Sequence, residues 1–454
     1  MAAATTAGQS DAESSLPWWN DRVFYEIFVR SFRDSDGDGI GDFVGLTDSL
    51  DYLNDGDPAT TDDLGVTGIW LMPVFPSPSY HGYDVTDYRA VNPDYGTMED
   101  FRTFLDAAHD RGIAVIIDLV INHSSNEHPW FEASQAGDPN YRDWYLWSET
   151  DVETPGIFTE SAWHEGVDGY YFGLFVDTMP DLNLENPEVT AEIRDIARFW
   201  LNDIGVDGFR LDAVAHLIED GDVTRDTPAS KEWLAGFTDY VHDVAPDAMV
   251  LGEVWNATTS IADYVPASMD LGFEFGLEEA LLEALETGDA AKLRAAWERV
   301  VGSYPAGQYA PFLTNHDQDR LMSVLEGDMS RAKLAATLLL TSPGVPFIYY
   351  GEEVGQVGEG PHLRIRTPMP WTGEEPGIGF TTAEPWEKAA FDVAVHNVAV
   401  QEDDPDSLLS HYRKLVRLRT ESPALRHGEL IQVQTGSSQV LAYLRSDGED
   451  HVLV

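Results

Sequence analysis

Arg210 and Asp212 stand two positions apart at the end of the apolar run "GVDGFRLDA" (205–213). In an extended strand, residues i and i+2 face the same side, so both charges emerge together. A structural ion pair would explain these two alone, but other apolar runs end in the same way. Asp118, Asn122 and His123 close "GIAVIIDLVINH" (112–123), and His216 follows Asp212. Glu253 closes "AMVLGEVW" (248–255), and Asn315, His316 and Asp317 close "YAPFLTNHD" (309–317). Three carboxylates from different strands, with histidines and one arginine, suit hydrolysis of a glycosidic bond, where two carboxyl groups flank the scissile bond. One attacks or stabilises; the other, kept protonated, donates to the leaving oxygen. Arg210 beside Asp212 would keep that carboxylate ionised and oriented for attack.

A second constellation points to a metal. "DSDGDGIGD" (34–42) sets Asp34, Asp36 and Asp38 at alternate positions, followed by glycine, a carbonyl at Ile40, and Asp42. Alternating hard oxygen donors on a glycine-rich turn suit calcium, and repulsion among four carboxylates asks for a cation. A solvated acidic loop is the alternative.

These residues need a scaffold that brings strand ends to one rim. Eight apolar, β-branched runs recur at 23–32, 65–74, 112–123, 205–213, 248–255, 271–275, 309–317 and 344–353. Between them lie amphipathic stretches such as 98–112 and 190–205, several closing on glycine as helices do. Buried strands alternating with helices indicate a parallel sheet covered by helices. The expected fold is α/β, a (β/α)8 TIM barrel with its chemistry at the C-terminal ends of the strands. The spacing breaks between the third and fourth strands, so residues 124–188 are expected to form an inserted subdomain on that face. The barrel then comprises 19–123 and 189–424, with a helix at 405–422. Residues 1–18 read as a flexible tail, and 425–454 as the start of a C-terminal all-β domain that looks cut short.

Composition narrows the partners. The 454 residues are 43% hydrophobic, enough for a large core, and carry 27 Lys plus Arg against 80 Asp plus Glu, a net charge of −53. Nucleic acid and anionic membranes are poor partners for such a surface. Self-repulsion that salt relieves suggests a protein working in high salt. There is no cysteine, which excludes disulfides and thiolate chemistry. No run approaches the length of a membrane span, and the N-terminus has no signal-like pattern. The start reads as a tail left after removal of a signal, so a mature extracellular chain acting as a monomer is expected, with the cytoplasm as the alternative.

"DLVINH" (118–123), "GFRLDAVAH" (208–216), "GEVW" (252–255) and "FLTNHD" (312–317) together resemble the four ordered sequence regions of the α-amylase family of retaining glycoside hydrolases. "MPDLN" (179–183) resembles its fifth region, in the version of an intermediate group containing bacterial α-amylases. The resemblance covers residues ~20 to 425. It implies that Asp212 is the nucleophile, Glu253 the general acid/base and Asp317 the stabiliser of the distorted, oxocarbenium-like sugar. It further implies that His123 and His316 hydrogen-bond the sugar, that Tyr83 in "YHGYDVTDY" (80–88) stacks on it, and that His216 lies beyond the cleavage point. Retention implies Asp212 and Glu253 carboxyls about 5–5.5 Å apart. The family carries a calcium loop like 34–42. A second calcium, from Asn122, Asp181 and the His216 carbonyl, would pin the inserted subdomain to the barrel.

Ala213, after the nucleophile position, leans towards α-1,4 bonds of starch and maltooligosaccharides, hence an endo-acting α-amylase. Asp84 and Arg366 resemble a pair that closes the sugar pocket in exo-acting α-glucosidases, so an α-glucosidase, an oligo-1,6-glucosidase or a transglycosylating relative is the alternative. Some relatives lack the carboxylates and serve as binding subunits; here Asp212, Glu253 and Asp317 are all present.

Overall fold

The computed structural model describes residues 16–390 and 392–454. Short runs of buried side chains form β1 (Phe24–Ile27), β2 (Gly68–Leu71) and β3 (Ala114–Leu119). An inserted segment adds β4 (Trp147–Ser148), β5 (Trp163–Gly166) and β6 (Gly169–Phe172). The buried series resumes with β7 (Gly208–Leu211), β8 (Met249–Gly252), β9 (Leu271–Gly272) and β10 (Phe347–Tyr349). The chain ends with β11 (Glu429–Gln432), β12 (Tyr443–Ser446) and β13 (His451–Leu453).

The central sheet runs β10-β1-β2-β3-β7-β8-β9, and every neighbouring pair in it is parallel. The seventh expected strand, 309–317, is not a regular strand. Pro311 has no amide hydrogen to give to a ladder, so pairing there reduces to single bonds. Ala310 still exchanges bonds with the β9 side, donating to Gly272 O at 2.9 Å and accepting from Glu274 N at 3.0 Å. On its other side, Tyr309 O and Pro311 O accept from Val345 N at 2.9 Å and Phe347 N at 3.0 Å. Those four bonds close the sheet into an eight-membered (β/α)8 barrel.

Helices cover the outside where the 3.6-residue periodicity placed them. The helix Met98–Asp110 starts in a capping box made by Thr97 and Asp100 and buries Phe101, Phe104, Leu105 and Ala108. The stretch expected to be helical over 190–205 is a helix over Pro187–Arg198 that widens into a π-helical turn over Phe199–Ile204. Gly208 has a specific packing reason. A Cβ there would lie 2.2 Å from Met249 O, so only glycine lets β7 approach β8 at the point where Arg210 and Asp212 follow.

The inserted segment forms a three-stranded antiparallel sheet, β4-β6-β5, over a small cluster of Ala162, Phe172 and Leu174. It returns to the barrel rim through the bridge His123↔Asp181 and the bond from Leu182 N to Asn122 O at 2.9 Å. β11-β12-β13 make a separate antiparallel sheet. Of the expected tail, residues 1–15 lie outside the described residues. Trp18 is structured: it begins a 3-10 turn and donates its indole N–H to Asp247 O at 2.7 Å.

Candidate active site

The register of β3 and β7 sets Asp118 beside Arg210, which explains the first contact of the site. Arg210 is 1% exposed, and its Nη1 donates to both Asp118 oxygens at 2.9 Å and to Asp212 Oδ1 at 2.7 Å. Its Nη2 donates to Glu253 Oε2 at 2.6 Å. The guanidinium lies over the Trp70 ring, 5.1 Å from its centroid, a cation–π contact that helps to fix it. One arginine therefore gathers three carboxylates from three adjacent strands. Burial raises the Glu253 carboxyl above its ordinary range even though Arg210 pulls it down, and the charges of Asp212 and Asp317 push the same way as burial. Burial likewise pushes Asp118 up to about 7 against the pull of Arg210.

Across the rim, His316 Nδ1 meets Glu26 Oε1 at 2.6 Å and its Nε2 meets the Tyr83 hydroxyl at 2.6 Å. Tyr83 also donates to Asp118 Oδ2 at 3.1 Å, which joins the two halves of the site. Burial would lower the His316 pKa, but Asp317 and Glu26 outweigh it and raise the imidazole to about 9. Asp317 is oriented by its own backbone N–H, bound to Asn315 Oδ1 at 2.9 Å, and by Arg366 Nη2 at 2.6 Å. Burial works against its charge, yet His316 and Arg366 hold it well below the ordinary carboxylate range. His123 is buried, and burial lowers it to about 4, so it is neutral; its Nε2 has no hydrogen-bond partner among the described residues.

Asp84 and Arg366 do not pair. Asp84 Oδ1 accepts from the hydroxyls of Ser77, at 2.5 Å, and Ser79. Arg366 instead binds Asp317 and donates to His316 O at 2.9 Å. His216 reaches the site through Phe175, whose ring lies 5.9 Å from the His216 ring and 5.4 Å from that of His123.

Of the acidic loop, Asp34, Asp36 and Asp42 bring carboxylate oxygens within 4.8 Å of one another. Asp38 is not in this group; its Oδ1 accepts from Ile40 N at 2.8 Å. At the expected second cation site, Asn122 Nδ2 donates directly to His216 O at 2.6 Å. Asp181 Oδ2 and Glu219 Oε1 are buried with no hydrogen-bond partner among the described residues. Burial and the neighbouring Glu219 raise the Asp181 pKa, and burial raises Glu219 to about 7. Residues that sequence reasoning left out are Glu26, Ser77, Ser79 and Glu219. Glu26 sits in an apolar run, and only sheet closure sets it under His316; a lone charge inside a buried strand was its one signal.

The model of the alpha amylase catalytic domain matches residues 26–428. The chain belongs to the alpha-amylase family. It is 38% identical to Alpha-amylase 3 of Dictyoglomus thermophilum over 96% of this chain and 85% of that protein. It is 32% identical to an oligo-1,6-glucosidase of Parageobacillus thermoglucosidasius over 96% and 90% of the two chains. The crystal structure of the alpha-amylase from H. orenii superposes with a TM-score of 0.88 at 44% identity, covering 95% of this chain and 88% of that one. As a member of this family the chain is a glycoside hydrolase acting on carbohydrate. The family's barrel and C-terminal all-β domain account for the central sheet and for β11-β12-β13.

Proposed function

We propose that this protein is a retaining, endo-acting α-amylase that cleaves α-1,4-glucosidic bonds of starch and maltooligosaccharides. The observation that carries the reading is the single guanidinium of Arg210 holding Asp212 and Glu253 at once. Two carboxyls on one cation lie close enough to flank one bond, and their surroundings push them towards different work. Asp212, bonded to Arg210, attacks the anomeric carbon and forms the glycosyl-enzyme. Glu253, its proton affinity raised by burial, protonates the leaving oxygen and then takes a proton from the water that releases the sugar. Asp317, kept ionised by His316 and Arg366, receives sugar hydroxyls and favours the positively charged transition state. Neutral His123, with its Nε2 uncommitted, and the Tyr83–His316 pair line the same sugar.

Endo action is supported by the separation of Asp84 from Arg366, which leaves the donor end without the ion pair that would close it. The burial of both side chains, at 4% and 2% exposure, favours the second reading, an exo-acting α-glucosidase. A product time course on starch and on an end-blocked maltooligosaccharide separates them. Mixed oligosaccharides and cleavage of the blocked substrate are expected. Glucose released singly, with the blocked substrate intact, would establish exo action.

The hard oxygen donors of Asp34, Asp36 and Asp42 fit calcium, and the unpartnered buried oxygens of Asp181 and Glu219 fit a second cation between barrel and insert. Either ion would supply structural cross-linking. The acidic surface supports work in high salt, and a polymeric substrate supports action outside the cell as a monomer.

A further inference from the structure

Two arginines are buried at the opposite end of the barrel, where the last strand begins and the C-terminal sheet docks. Arg419 is 1% exposed and Arg445 0%. Arg419 donates from Nη1 to Leu340 O at 3.0 Å and Ser342 O at 2.6 Å, and from Nη2 to Gly344 O at 2.5 Å. Arg445 donates from Nη1 to Thr341 O at 2.7 Å, and from Nε and Nη2 to Gly428 O at 3.2 and 2.9 Å. Both cations thus grip the same segment, 340–344, and every bond they make ends on a carbonyl. Neither meets a carboxylate among the described residues, in a chain where acids outnumber bases 80 to 27.

Carbonyls offset only part of this charge. The acceptors belong to the C-terminal ends of the helices Met329–Thr341 and Pro423–His427 and to the turns that follow them. A helix C-terminus is equivalent to about −0.5 charge, so two ends supply about −1 at most against two full positive charges. Burial lowers both guanidinium pKa values, to about 9 and about 10, so both remain charged at neutral pH.

The remaining polar groups here are donors in want of an acceptor. Arg419 Nε and the Tyr309 hydroxyl are buried with no partner among the described residues, and Tyr309 is 2% exposed. Tyr309 packs against the same turn: a Cβ on Gly344 would lie 2.8 Å from its ring. The Tyr443 hydroxyl, by contrast, is engaged by Thr341 Oγ1, and its ring meets Trp297 at 4.8 Å. We propose that Arg419, Arg445 and Tyr309 form a binding site for one small monovalent anion, chloride, which locks the C-terminal sheet to the base of the barrel. A water molecule would satisfy the donors but leave the charge. An oxyanion such as phosphate would need more uncommitted donors than Arg419 Nε and the Tyr309 hydroxyl supply.

Two measurements on the full chain test this. Thermal unfolding is followed in sodium chloride and in sodium gluconate at equal ionic strength, so that general screening is the same in both. The expected result is a Tm several degrees higher in chloride, saturating with its concentration, and a weaker chloride effect in Tyr309→Phe, which keeps the ring and both arginines. Crystals soaked in bromide are expected to show an anomalous peak beside Arg419 Nε and the Tyr309 hydroxyl. Equal Tm in the two salts with no bromide peak would overturn the proposal. A peak without any chloride-dependent Tm would mean an adventitious ion only, and would overturn it as well. Neither result bears on the reaction assigned to the other end of the barrel.

Discussion

Arg210 donates to the Glu253 carboxylate at 2.6 Å, from the same guanidinium that donates to Asp212. Removing it strips a charge-assisted bond from both groups to which the proposed reaction is assigned. Such bonds contribute about 1.5–3 kcal/mol each, so Arg210→Met is expected to lower kcat/KM by at least about 100-fold. Arg210→Lys keeps the charge but not the fork, and should recover only part of this. Because Arg210 pulls the Glu253 pKa down, its loss should also move the alkaline limb of the pH–rate profile upward. An unmoved limb would mean that the arginine is only a scaffold.

Glu253→Gln should leave the fold intact, because the amide matches the carboxyl in shape and can still accept from Arg210. Proton transfer by a placed acid contributes roughly 10²–10⁴-fold, and a loss of that order on starch is expected. A substrate whose leaving group needs no proton, such as an aryl maltooligosaccharide with an acidic phenol, should lose much less in the step that forms the glycosyl-enzyme. In the unsubstituted enzyme, activity should fall as pH rises through the raised Glu253 pKa, because the proposed role requires the acid form. Equal losses on both substrates in pre-steady-state measurements would remove Glu253 from the acid role.

The contrast between Arg210 and Glu26 shows what was legible in the sequence. Arg210 and Asp212 share a face by local periodicity, and the polar ends of 112–123, 248–255 and 309–317 mark the rim without knowledge of which strands touch. Glu26 takes its meaning from long-range geometry: it lies in β1, whose partners are β2 and β10, and meets His316 of the segment 309–317 on the far side of β10. The Asp118–Arg210 contact likewise follows from register, which hydrophobic patterning does not encode. The segment 309–317 has strand-like composition, but Pro311 limits it to single bonds. Asp84 and Arg366 were readable as residues, whereas their partners, two serines and Asp317, depend on loop shape.

The Glu26–His316 contact carries a pH signature. His316 is raised to about 9 in the folded protein, against about 6.5 for an unperturbed histidine. A raised pKa means that the folded state binds the proton more tightly. This stabilisation is complete below about pH 6.5 and is lost as pH rises through about 9. Tm measured from pH 6 to 10 should decline across that window. Glu26→Gln removes one of the two charges raising the imidazole, so the decline should begin at lower pH. The same alkaline profile in both proteins would show that His316 is neutral throughout.

Chelation tests the acidic loop. Asp34, Asp36 and Asp42 converge within 4.8 Å, and a calcium ion there would be bound by the folded state only. Dialysis against a chelator should lower Tm by several degrees, and added calcium should restore it, since stability follows ligand occupancy. Asp36→Asn is the informative variant, because Asp42 also caps the helix Phe43–Asp48 through Gly45 N and its loss would destabilise without any metal. Asp36→Asn should require more calcium to reach the same Tm while keeping its activity at saturation. An unchanged Tm after chelation would leave the loop as a solvated turn.

A net charge of −53 makes salt the last and broadest lever. Carboxylates within a Debye length repel one another, and that length is about 10 Å at 0.1 M salt but about 3 Å at 1 M. Raising salt should therefore increase Tm steeply at first and then level off as neighbouring surface charges become screened. The chain should be more expanded and less active at low ionic strength, as small-angle scattering and turnover can follow in parallel. Screening depends on ionic strength alone, so this part of the response should be the same in chloride and gluconate. A chloride-specific gain that saturates belongs to a bound anion, whereas a difference that keeps growing to molar salt belongs to exclusion of the ions from the surface. If Tm in gluconate does not change between 0.05 and 2 M, the acidic surface contributes nothing to salt adaptation, and the wide spacing of its charges on a large barrel would be the reason.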